Sequence, residues 1–393
     1  MIYVGIDVAK HKHDCCILGP GGEIIRNVFT FLNTRQGFQL LEKEIRTAAS
    51  TQNDQEIKTG LEATGHYGVN LVAFLRSKGM EPVVFNPLRV KLYRQSLSLR
   101  RTKTDKVDAR CIASLVMSED SNPVTPSYQI GELKSLARHR FHLVQKLGKE
   151  KAQLNRLVDL LFPELPSVCC SITQKTMLVL LHALPGAQRI AHCRIDRLRN
   201  LIVSASNGRY DQTKASQISQ LAKQSIGTAS DSLEFQLVQT VESIYFLQQQ
   251  LKTLNLRINP MLRDIDSPIL SIPGIGNGLA SLILGEIGDI SRFSSPDKLL
   301  AYAGIEPSAY QSGNFTATRT PMVKRGSTYL RWALIQAARH VAQYCPEFHA
   351  FLEKKISQGK HYFVALGHLA KKLVRVIFHL LSRNESYLAP SER

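Results

Sequence analysis

Four carboxylates stand where secondary-structure patterns begin or end. Asp7 closes the apolar run Ile2 to Val8, in Gly5-Ile-Asp-Val-Ala-Lys10, and Glu62 closes a later strand pattern, in Gly60-Leu-Glu-Ala-Thr-Gly65. Asp105 and Asp108 lie in Lys103-Thr-Asp-Lys-Val-Asp-Ala-Arg110, a spacing that puts both on the same helix face. Strand-end acids and a helix-borne pair can converge at one edge of a sheet. So gathered, they repel and hold protons unless a cation sits among them. The natural cation is Mg²⁺, or Mn²⁺, a hard ion with oxygen ligands. Two such ions about 3.5–4 Å apart form a clamp for in-line displacement at phosphorus. For any one acid alone, an ordinary surface charge is the competing reading. An Asp inside an apolar strand is harder to set aside, because a buried carboxylate without a partner is costly.

The elements that must position these acids follow from periodicity. Strands are expected over 2–8, 13–18 and 24–31, with Gly-Pro-Gly-Gly at 19–22 as a turn. A helix over 34–49, capped by Thr34, precedes a strand over 57–62. A helix over 67–78, a strand over 81–86 stopped by Pro87, and a helix over 104–117 complete a mixed α/β domain ending near 125. Beyond it, Leu133, Leu136, Leu143, Leu147, Leu154, Leu157 and Leu161 step at heptad-like spacing. Leu237, Val241, Ile244, Leu251, Leu254 and Ile258 answer them, predicting a helical stalk or antiparallel coiled coil. The segment between, about 165–230, reads as helical with no assignable role. From 265, Ser271 to Gly278 lead into an apolar helix, and a final helix spans 361–381.

The charge constrains the partner. Fifty Lys and Arg face thirty-two Asp and Glu, a net charge of +18, which favours a polyanion through counterion release. No apolar run is long enough for a membrane span, and the start of the chain reads as a strand rather than a signal peptide. A cytoplasmic, nucleoid-associated protein is the expectation. The seven cysteines form no Cys-x-x-Cys pair and read as free thiols. Arg89, Lys91, Arg94, Arg100, Arg101, Lys103, Lys106 and Arg110 crowd the approach to Asp105 and Asp108. Phosphate contact is the preferred reading there, against a solvated charge run. His11 and His13 read as turn-and-strand surface, with metal ligation as the alternative. Pro273-Gly-Ile-Gly276 before a helix resembles the hairpin of helix-hairpin-helix DNA binders, in which Gly274 and Gly276 let backbone amides approach phosphate. A plain helix-entry turn is the alternative.

The four acids, in this order and with these local motifs, resemble the RNase H-like fold of RuvC-type Holliday-junction resolvases. Pro273-Gly-Ile-Gly276, Ala303-Gly-Ile-Glu-Pro307, Tyr310-Gln-Ser-Gly313 and Lys324-Arg-Gly326 follow the order of the insertion-sequence-110 family of transposases. The resemblance covers about 1–125 and 265–385; the middle is longer than the family's usual stalk. It implies a RuvC-like catalytic domain over 1–125, a helical coiled-coil region with an insertion over 126–264, and a mostly α-helical transposase domain over 265–393. It places the metal-binding acids at Asp7, Glu62, Asp105 and Asp108, and the active serine at Ser312. It implies DNA strand exchange between donor and target through a serine–phosphate intermediate, guided by a structured RNA. The protein would act as a homodimer or a dimer of dimers. Arg319, Lys324, Arg325 and Arg331 would bring the DNA backbone to Ser312. On the residues alone, Ser312 reads first as a turn residue before Gly313, and only the family motif makes it the active serine, with Ser308 as its nearest competitor. Two other functions stay open: a metal-dependent resolvase or nuclease that uses water, and a non-catalytic nucleic-acid binder.

Overall fold

The computed structural model describes residues 1–52, 56–63, 65–97, 105–118, 128–307, 311–312, 315–316 and 321–388. The chain divides into two units, Met1–Thr125 and Pro126–Arg393.

In the first unit, strands β1 (Ile2–Val8), β2 (Lys12–Leu18) and β3 (Ile24–Leu32) form an antiparallel meander. Helix α1 (Arg35–Thr51) follows, with Thr34 capping it by accepting from the Gly37 amide at 3.2 Å. Then come β4 (Ile57–Glu62), α2 (Val69–Ser77), β5 (Pro82–Phe85), α3 (Pro87–Leu97) and α4 (Asp105–Met117). The sheet order is β3-β2-β1-β4-β5, with β4 and β5 parallel to β1. This mixed five-stranded sheet is compatible with an RNase H-like domain.

Alternation along β1 assigns its two faces. Ile2, Val4, Ile6 and Val8 pack with Phe38, Leu41 and Ile45 of α1 and Leu71 and Leu75 of α2. Tyr3, Gly5 and Asp7 belong to the other face, where α4 lies. A Cβ on Gly5 would stand 2.1 Å from the Ala113 amide nitrogen, and one on Gly60 would stand 2.3 Å from Val116 Cγ2. Glycine on these two strands therefore lets the helix rest on the sheet.

The strand before Pro87 stops as expected, and Pro87 also opens α3, which the periodicity did not predict, since proline's fixed φ and missing amide suit the first helical position. One expectation is corrected. His13 is not surface: it is fully buried, its ring 5.1 Å from Phe31.

Among the described residues, the second unit is helical apart from one short hairpin. Helix α5 (Tyr128–Leu161) leads to α6 (Lys175–Ala183), α7 (Ala187–Ala191), α8 (Ile195–Ser206), α9 (Gln212–Lys223) and the long α10 (Asp231–Ile265). The remainder is α11 (Asn277–Ile287), α12 (Pro296–Ala303), β6 (Gln311–Ser312), β7 (Phe315–Thr316), α13 (Thr328–Tyr344), α14 (Pro346–Ser357) and α15 (Tyr362–Arg383). Leu133 and Leu143 share a core with Leu254 and Ile258, while Leu154 and Leu161 share another with Leu237 and Ile244. Helices α5 and α10 therefore run antiparallel. The second core also takes in α6 to α9, so the 165–230 segment folds onto one end of the pair. The first takes in α11 to α15 at the other end. No helix among the described residues is long and apolar enough to cross a membrane.

Gly5→Ala should lower the urea midpoint of the first unit, because the methyl has only α4 backbone to displace; overpacking of this kind costs about 1–3 kcal/mol. Gly148→Ala, at an open position inside α5, should stabilise the second unit by about 0.5–1 kcal/mol. Equal midpoints for Gly5→Ala and wild type would contradict the close packing.

Candidate active site

Strand register brings the acids of the first unit into a row. Asp7 pairs directly with Asp14 across β1 and β2, and Asp14 pairs with Thr30 on β3. Glu62 stands on β4 one residue beyond the Ile6–Leu61 pair, which sets it beside Asp7. By parity, Asp7, Asp14 and Glu62 all belong to the face that α4 covers. Asp14 is buried and accepts a short hydrogen bond from the Thr30 hydroxyl. Like charges directly opposite on neighbouring strands destabilise a sheet.

Helix α4 adds Asp108, which is 6% exposed and ion-paired with Arg94 of α3. The Asp108 carboxylate, and Glu62 at longer range, hold the Arg94 guanidinium more firmly protonated. Burial, with the Asp108 charge behind it, pushes the nearby Cys111 thiol up to about 11, which rules out a ready thiolate nucleophile there. Asp105 is the first residue of α4; its side chain lies outside the described residues. Among the described residues, no group of three or more His, Cys, Asp or Glu side chains is arranged to hold a metal ion.

In the second unit, Ser312 lies on the β6–β7 hairpin, paired with Phe315. Its side chain, and residues Ser308, Tyr310, Gly313 and Arg319, lie outside the described residues. The base of the hairpin is well defined. Pro307 bridges Met322, the Val323 amide donates to the Glu306 carbonyl at 3.0 Å, and the Lys324 amide donates to the Gly304 carbonyl at 3.2 Å. The Ser327 amide then donates to the Tyr302 carbonyl at 2.7 Å.

Below this base is a charged cluster. Glu286, fully buried on α11, accepts from Arg138 Nε at 2.5 Å, from Arg138 Nη2 at 3.0 Å and from Ser327 Oγ at 2.9 Å. Lys134 approaches to 3.9 Å, Arg138 lies over the Tyr329 ring, and Arg292 lies over the Tyr302 ring. One carboxylate thus faces two cations, Arg138 and Lys134.

Family models match both halves of this picture. One, described as a transposase of the DEDD IS110 type, matches residues 4–163; another, described as "Transposase IS116/IS110/IS902 family", matches residues 266–353. The chain belongs to the IS110 family of transposases. It is 26% identical to a "Pilin gene-inverting protein" of Moraxella bovis, over 98% of this chain and 97% of that one. It is 24% identical to an uncharacterized 44.8 kDa protein of insertion element IS116 from Streptomyces clavuligerus, over 99% and 96%. It is 23% identical to a mini-circle putative transposase for IS117 from Streptomyces coelicolor, over 98% and 95%.

In this IS110-family chain the first match holds all four acids and the second holds Ser312, while α6 to α9 lie outside both. Of the residues read as nucleic-acid contacts, Arg100, Arg101 and Lys103 lie outside the described residues. Lys324 and Arg325 are exposed beside the hairpin base. Arg331 donates to the Ala303 carbonyl at 3.4 Å, a bond that ties α13 to α12. Gly274 has φ +96°, and a Cβ there would lie 2.8 Å from the His340 carbonyl carbon, so packing on α13 already requires a glycine. Gly276 caps α11 beside a 760 Å³ groove lined by Arg140, Trp332, His340 and Tyr344. Arg94, read as a phosphate contact, instead pairs with Asp108. Asp14 and Glu286 were not singled out from the sequence. Strand parity measured from Asp7 would have found Asp14; no local signal marks Glu286.

Glu286→Ala should destabilise the second unit by about 3 kcal/mol, the low end for breaking a buried pair, because Arg138 keeps some solvent. Glu286→Gln should recover part of that loss, since the amide oxygen can still accept from Ser327. Denaturant titrations followed at Trp332 would measure both, and equal losses would show that the hydrogen bonds to Glu286 contribute little.

Proposed function

We propose that this IS110-family transposase recombines DNA by phosphoryl transfer to Ser312, assisted by divalent cations held at Asp7, Glu62, Asp105 and Asp108. The observation that supports it most is the row of acids on adjacent strands, met by the buried Asp108 of α4. The donor set fits Mg²⁺ or Mn²⁺: all its ligands are carboxylates, and directly opposed acids need a counter-charge. When bound, such cations polarise the phosphate and lower the cost of charge on the entering and leaving oxygens.

The chain's own residues do the rest. The Ser312 Oγ forms a bond to phosphorus as the bond from phosphorus to a sugar oxygen breaks. The serine proton passes to a base, and the departing sugar oxygen gains one. Attack by the sugar hydroxyl of another strand reverses these changes and restores the serine. The bond energy is kept throughout, so rejoining requires no nucleotide cofactor. Lys324 and Arg325 beside the hairpin base, with Arg319, bring the backbone to the hydroxyl and offset charge on the phosphorane.

The finer reading is that of a RuvC-like domain over 1–125, a coiled-coil stalk with an insertion over 126–264, and a transposase domain over 265–393. Donor and target DNA would be selected by a structured guide RNA. Acids of one subunit would serve the serine of another in a dimer of dimers, acting at the nucleoid. The net charge of +18 supports nucleic-acid partners.

Asp7→Asn should abolish strand cleavage while leaving DNA binding largely intact; cleavage near the wild-type rate removes the acid from the mechanism. Ser312→Ala should bind and assemble but form no protein–DNA adduct on a nicked trapping substrate. Peptide mapping of the wild-type adduct should find Ser312. Attachment at Ser308 would move the site, and cleavage without any adduct would indicate a water-using nuclease. Binding should weaken linearly on a log–log salt plot, and a flat response would remove the electrostatic basis for a nucleic-acid partner.

A further inference from the structure

The 760 Å³ groove of the second unit, between α13 and the glycine loop at 273–276, holds side chains that packing leaves unused. Trp332, Gln336, His340 and Tyr344 line it, four residues apart on α13. At the rise of an α-helix they make a stripe about 18 Å long. Trp332 is half-buried, its ring edge-on to Phe141 at 4.9 Å, whereas Tyr344 is 67% exposed. Arg140 enters the groove from α5. Its Nε donates to Asn255 Oδ1 at 2.9 Å, and among the described residues no carboxylate pairs with it. Four of its five N–H donors are thus left over. A Cβ on Gly278 would stand 2.5 Å from Arg140 Cζ, so the guanidinium lies against α11. Burial lowers its hold on the proton, and no acid opposes that. No Asp or Glu lines the groove. A partly desolvated cation facing an acid-free groove suits an anionic ligand.

We propose that this groove takes an unpaired segment of the recombining DNA, with Arg140 on a backbone phosphate and bases against Trp332 and Tyr344. Each part of the lining has a counterpart in that ligand. The planar guanidinium, lacking an acid, matches a phosphodiester. The aromatic rings match base faces, on which stacking is tolerant of sequence. Gln336 and His340, between the two rings, offer donors and acceptors to base edges. A duplex keeps its base faces stacked inside, so only a single strand presents them. The groove therefore differs from a helix-hairpin-helix contact, in which loop amides meet phosphates. Its position favours DNA. Helix α13 begins at Thr328, directly after Ser327 closes the base of the Ser312 hairpin, and strand exchange must part the strands beside the reacting phosphate. This assignment rests on the proposed recombination of DNA, whichever group attacks the phosphate.

Trp332 is the only tryptophan of the chain, so its fluorescence reports on the groove directly. The test titrates the full-length protein with a short oligodeoxythymidylate, which should quench Trp332 as it binds. Binding itself is followed separately, by the anisotropy of a labelled copy. A duplex of equal length should bind the basic surface elsewhere and quench little. Tyr344→Ala, at an exposed position, should raise the midpoint of quenching about tenfold, the effect of losing one stacked base. Arg140→Gln should raise it too and lower the log–log salt slope by about 0.7, the share of one phosphate on a single strand. Arg140→Lys should restore the slope. Binding of the oligodeoxythymidylate without quenching, or Tyr344→Ala and Arg140→Gln both titrating as wild type, would overturn the proposal. Equal quenching by duplex would overturn the single-stranded ligand, and quenching by an oligouridylate at equal or lower concentration would overturn the choice of DNA. No binding of any DNA would instead remove the recombination reading beneath it.

Discussion

The contact between α4 and the strands at Gly5 and Gly60 is the constraint on which the first unit depends. At Gly5 the backbone of α4 itself meets β1, and at Gly60 the Val116 side chain of α4 meets β4. That closeness sets α4, with Asp108 near its start, on the sheet face to which Asp7 and Glu62 belong. A helix held off by even one methyl would carry Asp108 away from the strand-end acids. The cost of the arrangement is electrostatic, because it gathers carboxylates of one sign on a covered face. The ion pair between Arg94 and Asp108 meets part of that cost.

The second unit solves a related problem by other means. Ser312 lies on a two-strand hairpin too short to be stable alone. Its base is fixed by a ladder running from the Pro307–Met322 bridge to the bond between Ser327 and Tyr302. The buried Glu286 then ties that base to α5 through Arg138, and Ser327 also caps α13 by accepting from the Leu330 amide. A fully desolvated carboxylate is tolerated there because both of its oxygens accept hydrogen bonds from Arg138, and one also from Ser327. The antiparallel α5–α10 pair carries this cluster at one end and the small helical head at the other.

Much of this was legible in the residues. Apart from α3, the strand and helix order of the first unit follows from alternation and from the Thr34 cap, because local spacing decides which face of an element is apolar. The two long helices follow from their leucine repeats. Asp7 and Glu62 could be named because an acid ending an apolar run is conspicuous, and Asp105 and Asp108 because a spacing of three sets them on one helix face. Other features were not legible. Pro87 was read only as the stop of a strand, yet it also begins α3, because proline's φ fits a first helical turn. His13 looked polar and exposed, yet strand parity turns it inward among Phe31 and Phe38.

By itself the sequence determined the element types, the basic partner preference and the candidate acids, since these depend on composition and on neighbours a few residues away. Only the tertiary structure decided which charges meet. Asp14 joins Asp7 through strand register, Arg94 faces Asp108 rather than solvent, and Arg138 reaches Glu286 across 148 residues of chain. Pairings of that kind depend on how elements pack, and short-range periodicity carries no information about them.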